Sequence, residues 1–213
     1  MRRPPPWVFA LLGYAALAAL VLGPSLLAPV TSAVGHPQAD TWNHVWGYHQ
    51  VRTALLAGES PLYTSLIGWP SGGALWFIDL FGALWTLPAQ LLGGPVLAYN
   101  LALFLNLVLA GFGAWALARH VTKSEAGAAL AGLGYAATPQ LLGQLHNGIS
   151  ETLSVGWLPL AILAMLRFRE RPDRGRGLLA GGALAICLMA NAYYGLFAAL
   201  VALGLGFAAL RPG

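Results

Sequence analysis

Long apolar segments recur along this chain, and they constrain its fold more than any other feature. A helix needs about 20 mostly apolar residues to cross the roughly 30 Å hydrocarbon core of a bilayer. Hydrophobic residues fill 58% of the 213 positions and charged residues only 8%, whereas a soluble domain carries about a quarter charged residues. A water-soluble core of this size could not hide so much apolar surface, so we expect an integral membrane protein.

Six segments are predicted to cross the bilayer, which gives an all-α, polytopic transmembrane helical bundle in a single membrane domain over residues 1–213. The last apolar stretch is too long for one crossing, and the polar and aromatic residues 191–195 divide it into two helices. The predicted spans are 7–28, 97–118, 126–142, 152–166, 177–191 and 195–210.

A long polar loop, residues 29–96, separates the first two spans and carries two predicted interfacial helices, at 40–57 and 80–92. The second of these contains Pro88 and covers only roughly 20 Å as a helix, too short to cross. If it stays outside the membrane core, almost all cationic side chains fall on one side, namely Arg2, Arg3, Arg119, Lys123, Arg211 and the arginines of 167–176. The positive-inside rule then predicts a cytoplasmic N-terminus and an extracytoplasmic loop. The excess of Arg over Lys fits a bacterial source, so we expect a multi-pass protein of the plasma (inner) membrane.

The formal charge of +4 does not indicate nucleic-acid binding. The positive residues form short clusters between apolar runs, an arrangement that suits loop ends and anionic lipid headgroups. Cys187 is the single cysteine, which excludes a disulfide framework and a cysteine-based metal site. We therefore expect the lipid bilayer, and possible other membrane subunits, as partners and no nucleic acid.

Asp40 is the first residue of the predicted interfacial helix 40–57, and it has two interpretations. It can be the N-cap of an interfacial helix that ends at Gly58. It can also be a carboxylate that acts as a general base at the membrane surface, with His44 one turn later orienting it or binding a phosphate.

The predicted outer turn before the fourth span holds His146 and Glu151, and the same ambiguity applies there. Glu151 can simply favour the dipole of the helix that follows. Alternatively, it projects beside Asp40 as a second carboxylate for a sugar hydroxyl or a divalent cation, for which oxygen and imidazole ligands suit Mg²⁺ or Mn²⁺ better than structural zinc. No ligand spacing is specific enough to assign a metal, so the sequence identifies no cofactor.

The order of these features resembles the N-terminal half of GT-C-type integral membrane glycosyltransferases, the superfamily of protein mannosyltransferases and arabinose-lipid transferases. The resemblance rests on an early Asp in the first outer loop, a short interfacial helix, and a span ending in Leu-Ala-Arg-His-Val-Thr. It continues through the alanine-rich stretch 128–139, the pair His146 and Glu151, and Leu-Leu-Ala-Gly-Gly at 178–182.

The resemblance implies that a sugar on a polyprenyl phosphate enters a cleft under the first outer loop and is transferred to a cell-envelope acceptor. Asp40 matches the acidic residue that deprotonates the acceptor hydroxyl, and Glu151, with His146 nearby, matches the acidic position at the outer start of the fourth helix. Charge alone makes Arg52, His44 or His49 the expected neutralisers of the leaving phosphate. Family members commonly continue for hundreds of residues, so the chain is expected to be the N-terminal part of a longer architecture.

Two other functional classes fit the same architecture. The chain can be a non-catalytic scaffold or a protein that binds a lipid-linked sugar without transferring it. A transporter would place paired ionisable residues near the middle of the membrane, where the sequence offers only Asn100 and Asn106.

Overall fold

The computed structural model describes residues 4–76 and 78–210, with backbone alone at 207–210. Arg2, Arg3 and Arg211, which belong to the predicted basic clusters, lie outside these ranges. Helices make up most of the described chain, as expected for an all-α fold.

The α-helices differ widely in length, and 3₁₀ turns precede or follow some of them. The α-helices are α1 (Pro6–Leu22), α2 (Thr41–Ala57), α3 (Leu80–Trp85), α4 (Leu87–Thr122), α5 (Glu125–Ala136), α6 (Pro139–Asn147), α7 (Trp157–Glu170), α8 (Arg174–Ala190) and α9 (Ala192–Leu210). The 3₁₀ turns are Gly23–Leu27 and Ser150–Gly156. A short antiparallel hairpin pairs β1 (Tyr63–Thr64) with β2 (Gly73–Ala74).

Within the described ranges, three segments are long and apolar enough to cross a membrane: Pro6–Leu27, Leu87–Thr122 and Ser150–Glu170. They include the spans predicted at 97–118 and 152–166 and nearly all of the one at 7–28. The spans predicted at 177–191 and 195–210 correspond to the shorter helices α8 and α9.

The span predicted at 126–142 is wrong as a single helix. Helix α5 has 12 residues and ends at Ala136, and α6 begins at Pro139. A proline has no N–H for the preceding turn, and its ring disfavours helical geometry at the residue before it. The apolar run therefore continues across this point while the helix does not.

The interfacial helix predicted at 80–92 is divided as well. The Asp79 carboxylate caps α3 by accepting from the Gly82 N–H, and α3 ends at Trp85. The remainder of the segment belongs to α4, which kinks at Gly94. That glycine has φ 82°, a conformation that side chains disfavour, and Pro95 follows it.

The separation of α8 from α9 confirms that residues 177–210 form two helices. Asn191 has an extended conformation, and its side chain accepts a hydrogen bond from the Tyr193 N–H. Together with α7, these helices bury Ala161, Cys187 and Ala198 against one another. Small side chains at these positions allow close approach of the three helices.

Two compact units make up the described chain. One contains most of α1, α4 from Asn106 onward, α5, and α7 to α9. The other contains α2, α3, the hairpin, α4 up to Leu105, and α6 with the turn that follows it to Thr152.

Asn100 organises the second unit by binding the chain between α1 and α2. Its Nδ2 donates to the carbonyl oxygens of Pro29 and Ser32, at 2.9 and 2.8 Å, and its Oδ1 accepts from the Val34 N–H at 3.0 Å. The side chain is almost fully buried. A polar residue inside an apolar helix is expected to bond to a neighbouring helix, but here it holds loop backbone that has no regular partner.

Replacing Asn100 by leucine is expected to destabilise the protein by about 1–3 kcal/mol, because three backbone groups lose their partner. Asn106→Leu on the same helix is the matched control. Asn106 is also buried, and its Oδ1 has no hydrogen-bond partner within the described ranges, so its removal should be neutral or stabilising. Denaturant unfolding in detergent micelles measures both variants, and equal losses would contradict the assignment.

Candidate functional site

Helix α2 carries most of the predicted site residues. Its end is set by Gly58, whose left-handed backbone directs its N–H to the carbonyls of Ala54 and Leu55, as predicted. Asp40 occupies the N-cap position, but its side chain makes no capping hydrogen bond. Its Oδ1 instead accepts from Asn43 Nδ2 at 3.2 Å, and the carboxylate is exposed.

The segment that leads into α2 is bound to the C-terminal end of α6. The His36 N–H donates to the His146 carbonyl at 2.7 Å, and the Asp40 N–H donates to the Asn147 carbonyl at 3.0 Å. Residues more than 100 positions apart in sequence are thereby held side by side. The structure thus brings the loop start that carries Asp40 next to the end of α6, which carries His146 and leads into the turn with Glu151.

Tyr99 and Gly148 complete this junction. The Tyr99 hydroxyl lies 2.9 Å from the Val34 carbonyl oxygen and 3.0 Å from that of Gly148. Gly148 has φ 75° and lies against Thr41, where a side chain would clash with the first residue of α2. Position 148 therefore requires glycine, because the positive φ disfavours other residues and Thr41 leaves no room for a side chain.

His44 is the buried member of the site, with 6% of its surface exposed. Its Nδ1 lies 3.3 Å from Glu151 Oε2 and 3.4 Å from the hydroxyl of Ser150. Glu151 keeps 27% of its side chain exposed. The imidazole of His44 is therefore buried, and the Glu151 carboxylate that it contacts is partly accessible from the surface of the unit.

The charge state of His44 follows from its surroundings. Burial lowers the pKa of the imidazole below its usual value near 6.5, and the carboxylates of Asp79 and Asp40 offset part of that effect. A neutral imidazole can accept or donate one hydrogen bond at Nδ1, depending on its tautomer. His44 is therefore suited to orient Glu151 and Ser150 rather than to supply a permanent positive charge.

A second buried pair, Tyr48 and Asp79, was not predicted from the sequence as part of the site. The Tyr48 hydroxyl donates to Asp79 Oδ2 at 2.8 Å, while Asp79 Oδ1 caps α3. Asp79 is 4% exposed and Tyr48 is fully buried. Burial, followed by the charge of Asp79, raises the pKa of Tyr48 well above its usual value, so the phenol keeps its proton and remains the donor.

His146, also a predicted binding residue, is exposed beside a histidine that was not predicted. The ring centroids of His36 and His146 lie 5.2 Å apart with an interplanar angle of 41°. No sequence signal links these two positions, because the contact depends on the pairing of the loop with the distant turn.

The two other predicted binding residues, His49 and Arg52, lie further along α2. Arg52 donates to the Gln90 carbonyl at 3.2 Å, and its second amino nitrogen lies 3.5 Å from His49 Nδ1. Eight residues of helix, or about 12 Å along its axis, separate Arg52 from His44. The structure does not bring Arg52 or His49 to the His44–Glu151 contact.

Within residues 4–76 and 78–210, no three His, Cys, Asp or Glu side chains are grouped so that they could hold a metal ion. The acidic residues around His44 do not form such a set. The divalent cation considered from the sequence therefore has no fitting ligand set in the part of the chain that is described.

Comparison with known proteins gives one match. The model of a family described as "Domain of unknown function (DUF6311)" matches residues 10–212. No curated protein and no solved structure matches the chain.

Removing the Tyr48 hydroxyl is expected to destabilise the protein. Tyr48→Phe leaves Asp79 Oδ2 buried without its donor, which costs about 1–3 kcal/mol. Tyr193→Phe, which alters an exposed phenol, serves as the control and should leave stability unchanged. Chemical unfolding of the two variants tests this, and a neutral Tyr48→Phe would show that the pair is not a stabilising contact.

Acidification is expected to destabilise the protein through His44. Because the pKa of His44 is lowered by folding, the unfolded chain takes up a proton as pH falls below about 6.5 while the folded protein resists it. The stability that the neutral ring contributes is complete above that pH and is lost below it.

Thermal unfolding between pH 7.5 and 5 should therefore show a steeper fall of Tm in the wild type than in His44→Asn. His49→Asn alters an exposed histidine of the same helix and should behave as the wild type. Identical pH profiles for the wild type and His44→Asn would refute this account of the buried imidazole.

Proposed function

We propose that this chain, which belongs to the DUF6311 family, is a membrane glycosyltransferase of GT-C type. It transfers a sugar from a polyprenyl-phosphate donor to a cell-envelope acceptor on the outer face of the membrane. The observation that carries this proposal is the exposed carboxylate of Asp40, held by its own backbone beside the turn that carries Glu151. In the proposal, these two acidic side chains from distant parts of the sequence serve one site.

The proposed topology has six crossings, with the long loop outside. Three segments of spanning length support this topology, and in the proposal helices α8 and α9 form two further crossings. Helix α5 covers only about 18 Å, so α5 and α6 would complete the remaining crossing in succession. Arg119 and Lys123 lie at the end of one such segment, and the arginines of 167–176 lie at and beyond the end of another, which favours a cytoplasmic position for these ends.

In the proposed reaction, an acceptor hydroxyl oxygen attacks the anomeric carbon of the sugar. The new glycosidic bond forms as the bond between that carbon and the phosphate oxygen breaks, and polyprenyl phosphate leaves with the electron pair. Asp40 takes the proton of the hydroxyl. The Asp40 carboxylate is exposed and makes no capping hydrogen bond, so it can accept this proton. General-base catalysis of this kind raises the reaction rate by about 10²–10⁴-fold.

Glu151 and His44 act together in this proposal. The carboxylate of Glu151 accepts a hydrogen bond from a sugar hydroxyl, and His44 orients that carboxylate from the buried side at 3.3 Å. His146, exposed next to the same turn, adds a second polar contact to the sugar.

The positive charge of Arg52 on α2 supports a binding site for the donor phosphate there. The Arg52 guanidinium lies about two turns beyond His44, with its second amino nitrogen 3.5 Å from His49 Nδ1, and it is anchored by the Gln90 carbonyl at 3.2 Å. In the proposed complex the lipid-borne phosphate meets Arg52 and His49, while the sugar extends toward Asp40 and Glu151. Guanidinium binding of a phosphate is geometrically favourable because two N–H groups can bind two oxygens.

Asp40→Asn tests the proposal, with Glu59→Gln as the matched control. Both substitutions remove one exposed negative charge from the same loop. With the protein in vesicles, radiolabelled hexosyl and pentosyl polyprenyl phosphates are offered as donors to envelope glycolipid acceptors. Asp40→Asn should reduce the rate by about 10²–10⁴-fold with unchanged Tm, and Glu59→Gln should retain the wild-type rate.

Two outcomes would contradict this function. Transfer that survives Asp40→Asn at the Glu59→Gln rate would remove Asp40 from the chemistry. Donor binding without any transfer by the wild type, and with equal affinity in both variants, would favour the scaffold or sugar-lipid-binding alternative.

A further inference from the structure

The second unit contains a surface that the proposed reaction does not use. Residues 60–78, called here the hairpin segment, include β1 and β2 and contain no Asp, Glu, Lys, Arg or His. An uncharged stretch of this length is unusual for a loop that faces water, because extramembranous loops are ordinarily rich in charged and polar residues.

Large apolar side chains of the hairpin segment are exposed. Leu66 is 72% exposed, Trp69 is 88% exposed, and Trp76 is 83% exposed. Single exposed apolar residues are common on protein surfaces. Several of them in one uncharged segment indicate a surface that binds a membrane or another molecule.

The geometry of the hairpin keeps these side chains on the outside. The Tyr63 hydroxyl donates to the Ser71 carbonyl across the turn, and the Leu75 N–H donates to the Leu62 carbonyl at 2.9 Å. Leu75 and Thr64 are buried and attach the base of the hairpin to the unit. The tip is therefore formed by a fixed turn that directs Leu66 and Trp69 away from the core.

The chain connection also keeps the hairpin segment close to a membrane surface. Trp76 lies just before α3, and α3 leads directly into α4, a segment of spanning length. The connection from Trp76 to Leu87 reaches at most about 26 Å, since α3 is helical. The first turns of α4 expose Leu91 and Leu92, which are apolar as well.

We propose that the hairpin segment inserts its tip into the headgroup region of the bilayer and docks the outer loop on the lipid surface. Tryptophan prefers this region because its ring is amphipathic, and leucine adds apolar area that the acyl boundary covers. The absence of charge removes the cost of desolvating ionised groups on insertion. The partner is thus the lipid surface itself.

Site-directed labelling of the full chain in vesicles tests this proposal. In a Cys187→Ala background, single cysteines replace Leu66 at the tip or Glu59 outside the segment, and each is labelled with an environment-sensitive NBD fluorophore. Glu59 is the matched control because it lies in the same loop, is exposed and is charged. The vesicles contain either plain phosphatidylcholine or the same lipid with a nitroxide near the headgroup.

Docking predicts that NBD at position 66 has blue-shifted emission, loses most of its intensity to lipid-borne nitroxide and resists aqueous iodide. NBD at position 59 should show the opposite pattern. Iodide quenching at position 66 equal to that at position 59 would refute the proposal. Protection of position 66 from both quenchers would also refute it, because a second copy or another protein would then cover the tip.

A second measurement covers the case in which the Cys187→Ala background does not fold. The native chain and Trp69→Phe are compared in vesicles of brominated phosphatidylcholine, which quenches tryptophan at the depth of the bromine. The difference between the two should reveal a lipid-quenched contribution from Trp69. If the fluorescence of Trp69 is quenched by aqueous quenchers and not by the brominated lipid, docking is contradicted.

Discussion

The backbone clamp around Tyr99 and Asn100 is the constraint on which the candidate site depends. These adjacent residues of α4 bind the chain before α2 through its carbonyl and amide groups, and Tyr99 also contacts Gly148 in the turn after α6. Loop backbone in an apolar surrounding must find such partners, because unpaired N–H and C=O groups are costly there. The clamp fixes the start of α2, and hence Asp40 and His44, relative to Glu151.

Several elements could be predicted because their signals are local. Helix α2 was expected over 40–57 and runs over Thr41–Ala57, since Gly58 ends it through a conformation that glycine favours. The division of the last apolar stretch followed from the polar residue Asn191. The run at 126–142 was mistaken for one helix because hydropathy continues past Pro139, whereas the hydrogen-bond ladder of a helix does not.

The remainder depends on contacts between residues far apart in sequence, for which one sequence gives no signal. Asp79 has no site role predicted from the sequence, yet it is buried and accepts a hydrogen bond from Tyr48, 31 residues away. Charge grouped Arg52 and His49 with the site, but helical rise places Arg52 about 12 Å and His49 about 7.5 Å along the axis from His44. A position of Glu151 beside Asp40 is one of two interpretations of its turn from the sequence, and what the structure adds is the backbone pairing of the segment before α2 with the end of α6.

The most direct test of this account asks whether Asp40 and the end of α6 are neighbours on the outer surface of intact cells. The Asp40 N–H lies 3.0 Å from the Asn147 carbonyl, which brings the two Cα atoms within disulfide range. In a Cys187→Ala background, Asp40→Cys and Asn147→Cys are combined, and cells are treated with a membrane-impermeant oxidant and analysed by peptide mass spectrometry. The account predicts a disulfide between positions 40 and 147 in intact cells. A pair that stays reduced until the membrane is permeabilised would contradict the proposed orientation, and one that never cross-links would contradict the site.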